Sequence, residues 1–163
     1  MKPLVMLIAC GMLAGCDYTV PLVTTPSVPM DGRITGLWQR VQPDGKTEAV
    51  LILPLDRETS LVSFPAGTKD SMYARACLCR VGNKTLAQLQ WFGTASGTVP
   101  DNDRVYQFAD YTVTGEVFTI RLMNSDVVKR DAKSYDELAT AIAENTGKTN
   151  LFREAMVFKK VTK

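Results

Sequence analysis

From Gly32 onward the apolar side chains of this chain recur at every second position, in short runs cut by turn residues. That alternation is the signature of strands with one buried face. It predicts strands over Ile34 to Gln42, Glu48 to Leu55, Ser60 to Phe64, Met72 to Val81 and Lys84 to Phe92. Three more are expected over Val105 to Thr114, Glu116 to Met123 and Ala155 to Val161. Pro43-Asp44-Gly45 closes the first run, and Gly82-Asn83 joins two runs as a hairpin turn. Val127 and Val128 suggest a further short strand within a charged stretch. The pattern changes period once, over Ser134 to Asn145, where Leu138, Ala141 and Ile142 form a helical stripe. Ser134 and Glu137 stand at capping-box spacing, and Gly147 ends the helix. The expected fold is mainly β: a small antiparallel barrel or sandwich of seven or eight strands, with one helix before the last strand.

The first residues follow a different rule. Lys2 precedes an almost wholly apolar run from Pro3 to Leu13, and Ala14, Gly15 and Cys16 follow. Charge, apolar core and small residues in that order make a secretory signal, and about a dozen residues are too few for a stable span, which needs roughly 20. Leu13-Ala14-Gly15-Cys16 resembles the lipobox of bacterial lipoproteins. The resemblance implies that residues 1–15 are removed and that Cys16 becomes a lipidated N-terminus. The protein would then be held at a membrane by palmitate-like chains, with its domain in the periplasm. Leu7-Ile8-Ala9-Cys10 fits the same pattern more loosely and leaves too short an apolar run. Asp17, directly after the cysteine, is similar to the inner-membrane retention signal of enteric lipoproteins; the outer membrane stays open. Residues 16–31 carry Pro21, Pro26 and Pro29 and read as an extended tether ahead of a single domain at 32–163.

Composition narrows the chemistry. Residues 1–15 take one lysine with them, leaving 18 basic against 17 acidic side chains. No basic excess exists to track a phosphate backbone, so nucleic acid is not an expected partner. The chain has no histidine, which removes Ser-His and Cys-His nucleophiles and the usual zinc sets. Cys77 and Cys79 are the cysteines left in the domain. A Cys-x-Cys pair on a strand has Cα atoms about 6.6 Å apart, near the upper limit for a disulfide. Two buried thiols, a strained bridge and a metal or redox use all stay open.

Other candidates are turn or cap residues before they are sites. Asp101, Asn102, Asp103 and Asp110 lack the spacing of a calcium loop. Lys69 with Ser71, and Lys133 with Ser134, lack a Ser-x-x-Lys frame. No cofactor or metal is expected.

Gly36-Leu37-Trp38 resembles the Gly-x-Trp signature of lipocalin-like barrels. The resemblance implies a tryptophan plugging the closed end beneath a basic residue from a late strand, for which Arg121 is the candidate. The large aromatic side chains of the strands are Trp38, Trp91, Phe92, Tyr106, Phe108 and Tyr111, which either pack as core or line a pocket for an apolar ligand; Trp38, Trp91, Tyr106, Phe108 and Arg121 are the residues assigned to that pocket. The expected function is a non-catalytic, membrane-anchored binding or envelope-accessory domain in the periplasm, whose partner is an envelope protein or an apolar small ligand. The alternatives are a lipocalin-like carrier of a small apolar ligand and a carboxylate-based glycan hydrolase.

Overall fold

The structure, a computed structural model, describes residues 17–100 and 103–162. Eight strands close into one antiparallel barrel in sequence order: β1 (Gly36–Val41), β2 (Thr47–Pro54), β3 (Thr59–Phe64), β4 (Met72–Val81), β5 (Lys84–Thr94), β6 (Tyr106–Thr114), β7 (Val117–Leu122) and β8 (Met156–Lys160). Closure rests on two facing pairs between the ends of the chain, Trp38 with Lys160 and Gln39 with Lys159. The helix α1 (Tyr135–Glu144) lies in the β7–β8 connection. Residues 127–128 form a turn and no strand.

Register sorts each strand into an inner and an outer face. Trp38, Val50, Ile52, Val62, Ala74, Leu89, Trp91, Phe118 and Phe158 face inward and form the barrel core. Trp38, Phe118, Phe158 and Phe64 touch in series, with ring centroids 5.4, 6.3 and 6.4 Å apart. A second core lies outside the barrel, where Leu138 and Ile142 of α1 cover Cys79, Val81, Leu86 and Phe108. The cap of α1 differs from the expected box by one residue. Ser134 Oγ accepts from the Glu137 amide at 3.2 Å, but the Glu137 carboxylate accepts from Lys133 N at 2.7 Å.

One end of the barrel is closed. A single 3₁₀ turn over Gly32–Ile34 crosses it, and Trp38 Nε1 donates to Ile34 O at 2.7 Å. Lys160 Nζ lies 5.0 Å from the centre of the Trp38 ring. Gly36 has φ +124°, and a Cβ there would meet Lys160 Cε at 3.4 Å. Only glycine suits both demands. The β1–β2, β3–β4, β5–β6 and β7–β8 connections gather at the opposite end.

Residues 17–31 are not a free tether: they pack on the barrel and belong to the folded body with residues 32–162. Two gaps in the strand ladders explain this. β4 runs past its last pair with β3, Cys77 with Thr59, and Val28 bridges to Leu78 there. β6 begins before its first pair with β7, and Tyr18 bridges to Tyr106 there. Between the bridges, Gln88 Oε1 accepts from Leu22 N at 2.6 Å and Val23 N at 3.1 Å, while its Nε2 donates to Val23 O at 2.9 Å. Tyr18 is 1% exposed and donates its hydroxyl to Val128 O at 2.7 Å.

Tyr18→Phe strands a buried carbonyl and is expected to cost about 1–2 kcal/mol in chemical denaturation. Limited proteolysis should cut the 17–31 segment faster in that variant than in the parent. Equal rates would mean that Tyr18 does not hold the segment.

Candidate functional site

The aromatic set assigned to one pocket is divided by the barrel wall. On β6, Gln107, Ala109 and Tyr111 face inward, so Tyr106 and Phe108 face outward. Phe108 packs on Tyr18, with ring centroids 5.2 Å apart. Trp38 is inside but at the closed end. Arg121 lies on the outer wall, where it pairs with Asp110 and stacks 5.5 Å from the centre of the Phe152 ring. Lys160, not Arg121, is the cation over Trp38. Of the five assigned residues, Trp91 lines the barrel cavity.

That cavity has a volume of about 80 Å³ and lies toward the open end, among Phe64, Trp91, Leu122, Met156 and Phe158. Its polar lining residue is Gln107, whose Oε1 accepts from Trp91 Nε1 at 3.3 Å. Gln107 Nε2 has no hydrogen-bond partner among the described residues. Phe64, Phe118 and Phe158 were missed as interior residues, although Phe118, Ile120 and Leu122 alternate visibly with Arg121. A wider depression of about 420 Å³ lies outside the barrel, between Val23, Val28 and Leu78, with Arg80 and Tyr135 also lining it. Among the described residues no aspartate or glutamate lines either space.

The remaining candidates have structural partners. Ser71 Oγ donates to Pro65 O at 2.6 Å within the β3–β4 turn. Among the described residues no group of three Asp, Glu or Cys side chains could hold a metal ion. Asp101, Asn102 and Cys16 lie outside the described residues. Cys77 and Cys79 are unbridged and buried on the outer face of β4, beneath residues 17–31 and α1. Cys79 Sγ donates to Leu86 O at 3.4 Å. Burial pushes the Cys77 thiol up to about 11 and the Cys79 thiol up to about 12.

Asp17 sits in a polar cluster at the open end and is 2% exposed. Arg130 approaches one carboxylate oxygen at 3.3 Å and Arg153 the other at 3.7 Å. Both guanidinium groups donate to Ser125 Oγ, at 3.0 and 2.9 Å. Asp17 Oδ2 accepts no hydrogen bond among the described residues. Burial therefore outweighs the pull of Arg130, Arg153 and Arg104, and the carboxyl titrates above its ordinary value of 3.8.

Comparison with known families, curated proteins and solved structures finds no match to this chain.

Two measurements follow from these environments. Neither thiol should react with a soluble disulfide reagent at pH 8 in the native protein, and both should react in denaturant. Rapid native labelling would contradict their burial. For Asp17, a raised folded-state value gives stability that is full below 3.8 and lost as pH rises through the higher folded value. The stability of the parent relative to Asp17→Asn should therefore fall as pH rises across that window, measured by chemical denaturation at a series of pH values. A difference that grows with pH would reverse the assignment.

Proposed function

We propose that this chain is a bacterial lipoprotein anchored through acylated Cys16, whose barrel is a non-catalytic, partner-binding accessory domain of the envelope. The volume of the barrel interior carries the choice between partner and ligand. Pockets for drug-sized ligands run from about 300 to 1,000 Å³, and this cavity is about 80 Å³. Four large aromatic rings occupy the space that a carrier would leave for its cargo.

The outer wall supplies a surface for a protein partner. Leu37 faces Leu51 across β1–β2, and Leu53 faces Leu61 across β2–β3, which makes one leucine stripe. Leu37 and Leu53 are exposed at 38% and 41%. Its polar neighbours include Gln39 on β1 and Arg75 on β4. Apolar patches with polar edges on soluble domains mark contact sites.

The anchor reading rests on the lipobox. Asp17 has a structural role in the polar cluster, which accounts for an acid at that position without a sorting role. The membrane partner is then the leaflet that holds the acyl chains, and the domain lies in the periplasm.

Metabolic labelling with palmitate should mark the parent protein and not Cys16→Ser. Lipid analysis of detergent-purified protein should find the covalent acyl chains and no stoichiometric free lipid. Label retained in Cys16→Ser overturns the anchor; a stoichiometric free lipid overturns the partner reading in favour of a carrier.

A further inference from the structure

We propose that the barrel stands on the bilayer with its open end down, and that its rim, around Val99 and Phe92, enters the headgroup boundary of phospholipid. The inference rests on the acylation of Cys16 proposed above and adds an orientation and a contact surface to it.

The argument begins with slack. An N-terminal lipid on a flexible spacer leaves a domain free to tumble above the membrane. Here Asp17, the residue next to Cys16, already belongs to the fold. Its amide donates to Tyr106 O at 3.1 Å, and Tyr106 N donates to Tyr18 O at 3.0 Å. Consecutive Cα atoms are about 3.8 Å apart. One residue therefore separates the acylated cysteine from the β6 backbone, and the acyl chains hold that point at the bilayer surface.

That point is at the open end. Tyr106 is the first residue of β6 and follows the long β5–β6 connection. The closed end, with its 3₁₀ turn and the β2–β3 turn at 55–58, lies a strand length away, roughly 20 Å for tilted strands.

The rim suits a bilayer surface. Val99, in the β5–β6 connection, is 72% exposed, and Phe92, near the end of β5, is 50% exposed. Val41, the last residue of β1, is exposed on the same end. Arg104, Arg130 and Arg153 lie at the same end with Asp17, Asp103 and Asp126, so the rim carries both signs of charge. Exposed apolar tips with polar neighbours suit a surface that sits about 5–10 Å into the headgroup region. The leucine stripe of β1–β3 faces sideways in this pose and stays available to a protein.

The test uses the full lipidated protein in vesicles of phosphatidylglycerol and phosphatidylethanolamine with brominated acyl chains. A fluorophore is placed on Val99→Cys or, at the closed end, on Arg57→Cys. The buried Cys77 and Cys79 thiols do not compete, and Cys16 is blocked as a thioether. The expected result is at least about twofold quenching at position 99 and none at position 57. Quenching at 57 equal to that at 99, or at neither position, overturns the orientation while intact mass still reports acylated Cys16. A mass without acyl chains on Cys16 overturns the anchor reading and this pose with it.

Discussion

The barrel depends on how its two chain ends meet at Trp38. Among the described residues β8 joins β1 through two facing pairs, and Val161 N adds a bond to Leu37 O at 2.9 Å, a short ladder that takes support from side chains. Trp38 supplies it from within: its ring fills the closed end, its Nε1 binds the 3₁₀ turn, and Lys160 from the other side of the seam covers its face. Gly36 is the space that lets the Lys160 stem cross. A cation over tryptophan is worth about 0.5–2 kcal/mol, which is large beside two backbone pairs at the edge of a ladder. The aromatic series from Trp38 through Phe118 and Phe158 to Phe64 then fills the interior toward the open end. Closing the seam and filling the cavity are one packing event, which is why the fold leaves little room for a cargo.

The strands were legible because each is half-buried and alternates, and local alternation needs no knowledge of partners. Met72–Val81 matches the expected range, and the others shift by a residue or two. Barrel closure was not legible, since the deciding pairs join residues over a hundred positions apart. The pocket assignment failed for a different reason. Tyr106, Phe108 and Arg121 were grouped with Trp91 by side-chain type, while the pleat sorts them by parity to opposite sides of the wall.

The 17–31 segment was misread because proline argues against a central strand. Its prolines are tolerated because the segment never forms a ladder. Its bridges are at Tyr18 and Val28, with Gln88 holding Leu22 and Val23 between and Met30 N donating to Arg57 O at 2.9 Å, and Pro21 and Pro26 need to donate nothing. Two strand edges that would otherwise be open to another chain are covered in this way. The same docking buries Cys77 and Cys79, so the spacing that suggested a disulfide marks a covered sheet face.

The bond from Tyr18 to Val128 spans 110 residues of sequence. The 17–31 segment is thus among the last to settle. Its seat needs β4 to β6, the turn at 128 and Arg153, so most of the chain must emerge before Asp17 and Tyr18 can dock. Until then residues 17–31 stay accessible to other molecules. Docking ends that window, so the exposure of this segment reports how far the rest of the chain has folded.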